Sequence, residues 1–230
     1  VVNVSFNGVN YQPPNVDHPL LEDITTTITE KRVAIIGANG GGKSTFARMI
    51  NGLYSPTSGL VTVNGLDATT DGKKVRQKVG FVFSDADNQI IMPTVLEDVE
   101  FSLRKKIKNK AERKARALEE LHRFGLETRA EQSPHTLSGG QKQLLALTSV
   151  CVMRPELVIA DEPTTLLDLK NRLILKDVFE TLEQSMYVVT HDLDFIKDFE
   201  RALLIDQGRI IADDTVASVT DFYIRKMTGA

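Results

Sequence analysis

The chain has 230 residues, 41% of them hydrophobic, and a formal net charge of −3. That supports one well-buried core with room for a smaller lobe, and it excludes a global basic field that would draw the chain to nucleic acid or anionic lipid. The single cysteine, Cys151, excludes an internal disulfide framework, no apolar run reaches the ~18 residues of a membrane span, and the start lacks signal-peptide features. These features predict a soluble, intracellular protein that is still free to dock on a membrane partner.

In chain order, Val4, Phe6, Val9 and Tyr11 lie among polar and turn-forming residues, as in an antiparallel β region. Val33–Ile36 reads as a buried strand that enters Gly37-Ala38-Asn39-Gly40-Gly41-Gly42-Lys43-Ser44, a match to G-x-x-x-x-G-K-[ST]. Such a loop wraps phosphate oxygens with backbone N–H groups, which requires glycine's freedom in φ and its missing side chain. The helix that follows, with Phe46, Met49 and Ile50 on its inner face, aims its positive end at the phosphates. Lys43 supplies a full positive charge to the β and γ groups, and the Ser44 hydroxyl suits Mg²⁺. Alone, this motif also fits a small-molecule kinase or a GTPase.

A second buried strand is expected at Val79–Phe83. Residues from about 85 to 136 then break the α/β alternation. Thr94-Val95-Leu96-Glu97 is a capping box that starts a helix, Ala111–Phe124 is a second helical pattern, and Gly125 ends it. A helical lobe inserted into an α/β core is expected, with one domain over 1–230, the core at about 1–84 and 137–230, and a link at Ala130–Thr136. A basic run from Arg104 to Arg116 reads as a solvated helix face or, alternatively, a patch for a membrane surface or acidic partner.

Leu137-Ser138-Gly139-Gly140-Gln141 precedes a helix carrying Leu144, Leu145, Leu147 and Cys151. Cys151 reads there as a small buried apolar residue. Ser138 and Gln141 form a capping box, and the two glycines leave N–H groups uncovered at a positive helix end, which makes a second anion site. Strand Leu157–Ala160 follows and ends in Asp161-Glu162. Strand alternation sends these carboxylates in different directions: Asp161 toward Mg²⁺ and Glu162 toward an attacking water. Strand Tyr187–Thr190 delivers His191 to the same sheet edge, where it can hold Glu162 and the water in line. His18, His122 and His135 read as ordinary surface or core residues. Strand Ala202–Ile205 and the turn Asp206-Gln207-Gly208 leading to Arg209–Ala212 form a terminal hairpin.

In this order the motifs resemble those of ABC ATPases over nearly the whole chain. The resemblance implies an α/β fold with a P-loop NTPase core of ABC type, an N-terminal antiparallel β region and an inserted helical subdomain. It implies Walker A at 37–45, including Thr45, the signature at 137–141, Walker B at 157–161, catalytic Glu162, a D-loop at Thr165-Leu166-Leu167-Asp168 and the switch histidine His191. ATP and Mg²⁺ are the implied cofactors. Two ATPs would be sandwiched by a homodimer, or by this chain and a second ABC ATPase. Ser138, Gly139, Gly140 and Gln141 of one subunit would then cap the partner's nucleotide.

Three positions depart from the family pattern. Ser84 stands where the Q-loop glutamine is usual, so water fills the gap, Gln89 swings in, or turnover is slow. Gly41 replaces a common serine, and Leu166 a small residue. The family's adenine-stacking aromatic falls near Pro13, so Tyr11, two residues earlier, either takes that role or is a half-buried strand tyrosine.

Phe83–Gln89 followed by Pro93–Val99 resembles the energy-coupling factor (ECF) branch. That implies uptake of a vitamin or metal ion of the biotin, cobalt or nickel kind, at the cytoplasmic face of the cell membrane. The implied partners are a transmembrane coupling protein and a substrate-capture membrane protein, with no nucleic acid. Asp85, Asp87 and Glu97 are expected to give the groove between core and lobe a negative charge for an arginine- or lysine-bearing helix. The competing reading is a non-transport ABC ATPase acting on nucleic acid or ribosomes.

Overall fold

The computed structural model describes residues 2–14, 16–165 and 167–229, so the expected D-loop residue Leu166 lies outside the described residues. In chain order the elements are β1 (Val4–Tyr11), β2 (Leu21–Ile28), β3 (Arg32–Ile36), α1 (Lys43–Ile50), β4 (Ser58–Val63), β5 (Leu66–Asp67), α2 (Gly72–Lys78), β6 (Val79–Val82), α3 (Val95–Leu103), α4 (Lys110–Arg123), α5 (Gly139–Cys151), β7 (Leu157–Asp161), α6 (Leu169–Thr181), β8 (Ser185–Val189), β9 (Arg201–Asp206), β10 (Arg209–Asp214) and α7 (Val216–Thr228).

They build two sheets. The first, in order β2-β1-β4-β5, is antiparallel. The second runs β10-β9-β3-β8-β7-β6 and is parallel except for β10, which closes the terminal hairpin. Its central strands read as continuous apolar runs because both faces are covered. Val33 and Ile35 of β3 pack on one side with α1 and the antiparallel sheet. Ala34 and Ile36 pack on the other with α3 to α7. Phe6 of β1 stacks on Phe46 of α1, ring centroids 4.2 Å apart, and so fastens the first helix to the antiparallel sheet.

The expected helices form where the caps predict. Thr94 accepts the N–H of Glu97, and Ser138 and Gln141 complete a reciprocal capping box at the start of α5. The helical layer, however, does not stop near residue 136. α5 packs against α3 and α4 as well as β6, and buried Asp98 of α3 accepts a hydrogen bond from Ser149 of α5 at 2.9 Å. Its apolar residues Leu144, Leu145 and Leu147 are shared by the lobe and the sheet, so α5 is a joint between them. β4, β5, α2 and α7 carry short or mixed patterns and go unread in the sequence.

Candidate active site

Three neighbouring strands bring the candidate site residues to one edge. Ile35 of β3 pairs with Val189 of β8, and Val189 with Asp161 of β7. The ends of these strands therefore stand level, with Gly37, His191 and Glu162 just beyond them. A pocket of about 280 Å³ opens there, lined by Leu20, Asn39, Gly40, Gly42, Lys43, Ser44, Thr45 and Glu162.

Gly37 is set by its surroundings: its φ is +140°, and a Cβ there would lie 2.0 Å from the carbonyl oxygen of Ile205 on β9. The Lys43 ammonium donates to the carbonyls of Gly37 and Ala38, both at 2.9 Å, and so closes the loop on itself. Burial lowers the Lys43 pKa, and the carboxylates of Glu162 and Asp161 oppose that shift. The Gly41 N–H donates to Ala38 O at 3.1 Å, and the first turn of α1 offers its N-terminal N–H groups to a phosphate.

Ser44 donates from Oγ to Asp161 Oδ1 at 2.8 Å. Asp161 is 1% exposed. Burial raises its carboxyl pKa, opposed by the Ser44 hydrogen bond and then by Arg48 and Lys43. Arg48 lies one helical turn past Ser44, and its guanidinium approaches Asp161 Oδ2 only to 3.7 Å. A buried carboxylate and a hydroxyl are two hard oxygen donors that fit Mg²⁺, with Arg48 at 3.7 Å as the carboxylate's ion-pair partner.

Asp161 and Glu162 do diverge, but strand alternation is not the cause. β7 ends at Asp161, and Glu162 adopts φ +51° while its N–H donates to Val189 O at 2.8 Å. A left-handed backbone at a non-glycine residue costs about 1–3 kcal/mol and persists only where the surroundings hold it. Here it turns the carboxylate into the pocket beside Lys43 and Ser44. His191 Nδ1 lies 2.9 Å from Glu162 Oε2.

Other expected residues sit elsewhere. None of Ser138, Gly139, Gly140 or Gln141 lines the phosphate pocket; the Ser138 hydroxyl caps its own helix by accepting the N–H of Gln141 at 3.3 Å. Asp168 caps α6, accepting the N–H of Asn171 at 2.8 Å. Tyr11 is not brought to the loop. Its ring stacks on Tyr54 with centroids 5.4 Å apart, and Tyr54 in turn accepts a hydrogen bond from Arg48. β1 stops at Tyr11 after register shifts, so the alternation that would carry Tyr11 to the side of Pro13 does not extend that far. Gln89 makes no hydrogen bond to Ser44 or Asp161. Its amide accepts from Phe83 N–H at 3.2 Å and donates to Phe81 O at 3.3 Å, folding back on β6. Ser84 is exposed.

The acidic groove also needs correction. The groove between core and lobe, about 350 Å³, is lined by Leu53, Val79, Phe81, Phe83, Val150 and Met153, with Arg76 and Lys106 as its charges. Asp85 caps the turn Ala86–Asn88, Asp87 pairs with Lys142, and Glu97 accepts the Thr94 hydroxyl at the start of α3. The carboxylates are drawn into local caps and pairs, so the groove is apolar with a basic fringe. The basic run is likewise partly satisfied inside the chain: Lys106 donates to Met153 O, and Arg113 to Ile107 O. Arg48, Lys142 and Gln143 went unread. Their signal was position alone, one turn after Ser44 and directly after the signature.

With the geometry established, comparison places the chain among known proteins. Residues 21–165 match the family model described as ABC transporter. The biotin transport ATP-binding protein BioM of Rhizobium etli is 48% identical over 88% of this chain and 90% of its own length. The energy-coupling factor transporter ATP-binding protein EcfA1 of Latilactobacillus sakei is 36% identical over 92% of this chain and 78% of its own. Among solved structures, the dimeric post-hydrolysis state of the ATP-binding cassette MJ0796 bound to ADP and Pi superposes with a TM-score of 0.82. It is 32% identical and covers 93% of this chain and 98% of that one.

Proposed function

The chain belongs to the ABC transporter family of ATP-hydrolysing subunits, in its energy-coupling factor branch, and from that premise we propose that it drives an ECF-type importer of the biotin class. The observation that carries the catalytic part is Glu162, twisted out of the sheet edge into the phosphate pocket and held there by His191 at 2.9 Å.

In this reading the loop N–H groups and Lys43 bind the β- and γ-phosphates of ATP. Ser44 and Asp161 would hold Mg²⁺, which would supply charge neutralisation at the phosphates. Glu162 orients the attacking water and takes up its proton, and His191 keeps that carboxylate in line. Ser138 to Gln141 cover the nucleotide of a second subunit. Their separation from the chain's own pocket supports this, as does the dimer of the related cassette. Among the described residues no helix is long and apolar enough to cross a membrane. The subunit would sit on the cytoplasmic face, with the coupling protein's helix in the groove at Phe81 and Met153. That groove is apolar, so the incoming helix should be apolar at its centre, with acceptors for Arg76 and Lys106.

The cargo class rests on the BioM relative. Glu162→Gln tests the catalysis: ATP should still bind, hydrolysis should fall by at least ~10²-fold, and an ATP-bound dimer should accumulate. Near-wild-type turnover would reject the assignment. Uptake of labelled biotin by cells expressing the chain with its neighbouring genes tests the cargo.

A further inference from the structure

The signature helix is fastened to the strand end that carries Ser84 by side chains outside the catalytic set. Gln143, 3% exposed, donates from Nε2 to the carbonyl of Phe83 at 3.1 Å. Lys142 Nζ reaches Asp87 Oδ1 at 2.7 Å. Further along the helix, Ser149 donates to Asp98 Oδ2, while Asp98 Oδ1 accepts the N–H groups of Ile91 and Met92 at 3.0 and 3.2 Å. The segment from 83 to 92 is thus bound to α5 near both ends of that helix. Gln89 adds the tie back to β6.

This segment begins at the reacting edge. Val82 pairs with Ala160, which sets Phe83 level with Asp161. The Phe83 carbonyl and Asp87 are thereby linked, through Gln143 and Lys142, to the first turns of α5, the helix that Ser138 caps.

Two features argue that these contacts are more than packing. A lysine in the first turns of a helix opposes the macrodipole, so Lys142 does not serve the stability of α5. Gln143 leaves its Oε1 buried without a hydrogen-bond partner among the described residues, a cost that an apolar side chain would avoid.

We infer that Lys142 and Gln143 are positioning residues that couple the two nucleotides of an ATPase pair. A change at the strand edge beside one ATP is delivered to the signature segment resting on the other. The inference rests on the two-subunit reading above. It assigns the coupling to residues 142 and 143, without any contribution from a glutamine at position 84.

The test is the ATP dependence of hydrolysis by the full chain, together with ATP binding under monomeric conditions. The wild type should show a Hill coefficient approaching about 2, the number of sites. Lys142→Glu and Asp87→Lys should each bind ATP as the wild type does, lose turnover at saturating ATP several-fold, and drop toward a coefficient of about 1. The combined charge swap should restore both quantities. Gln143→Leu should lose cooperativity without losing monomer binding. Single reversals that keep wild-type cooperativity, a swap that fails to restore it, or a cooperative Gln143→Leu variant would each overturn the coupling and leave the pair intact. A wild type with neither cooperativity nor an ATP-dependent dimer would instead remove the two-subunit reading, and the coupling with it.

Discussion

Gly37→Ala and Gly40→Ala separate the packing of the phosphate loop from its binding surface. At Gly37 the new Cβ would lie 2.0 Å from Ile205 O, on a backbone with φ +140°. Relief requires a shift of about 1 Å in either the loop or β9, against the pairing of Ile36 with Leu204. Backbone strain of about 1–3 kcal/mol and overpacking of about 1–3 kcal/mol together give a loss on the order of 4 kcal/mol. At about 2–4 °C per kcal/mol for a chain of this size, that lowers the melting temperature on the order of 10 °C. Gly40 also has a positive φ, +79°, but its Cβ would meet nothing within 4 Å. Strain alone, about 1–2 kcal/mol, lowers its melting temperature only a few degrees. Gly40 lines the pocket, however, so its methyl group should still weaken ATP binding. Ligand-free thermal unfolding by circular dichroism, paired with titration of a fluorescent ATP analogue, reads both quantities. Equal melting shifts for the two variants, or a Gly37→Ala protein as stable as the wild type, would refute this account of the loop.

Ser138→Arg should abolish hydrolysis while monomer binding of ATP survives, and Lys43→Ala should weaken binding itself. Mixing the two should recover part of the activity, because both lesions then fall on one of two shared sites. No recovery in verified mixed dimers would count against shared sites. Tyr11→Ala should cost about 1–2 kcal/mol of stability through the lost stack on Tyr54, yet leave ATP affinity within about twofold; a large affinity loss would return Tyr11 to the nucleobase. Glu120 of α4 is 5% exposed, its Oε1 has no hydrogen-bond partner among the described residues, and Arg123 approaches only to 3.8 Å. Burial raises its pKa above 4.5, against the opposing Arg123 and Arg116. The folded state therefore holds this proton more tightly than the unfolded chain does, and ionisation weakens folding as the pH rises through that window. Glu120→Gln should raise the melting temperature at about pH 8, and the gain should disappear toward about pH 4. A gain independent of pH would refute the assignment.

The candidate phosphate-site groups could be read from the sequence because each depends on neighbours along the chain. The loop from Gly37 to Ser44 needs consecutive N–H groups, the signature needs Ser138 and Gln141 one helical turn apart, and Walker B needs an apolar strand ending in Asp161. Covalent spacing carries that information, and the burial of β3, β7 and β8 followed from uninterrupted apolar residues. What packing decides was not legible. That His191 and Glu162 share one edge was expected from the sequence, but that β8 lies between β3 and β7 and so sets Gly37 level with them follows from how the strands cross over and not from any residue in them. The left-handed turn at Glu162 is imposed by the hydrogen bond to Val189 of a neighbouring strand. The sequence left Tyr11 two roles, and its stack on Tyr54, 43 residues on, is a contact that no local pattern announces. The charges of Asp85, Asp87 and Glu97 were visible, and so was the pairing of Glu97 with Thr94 at the start of α3, but not that the turn Ala86–Asn88 and Lys142 would take up Asp85 and Asp87. Linear sequence names the chemical groups and their local backbone. Which of those groups remain free to act is settled only when distant segments have chosen their partners.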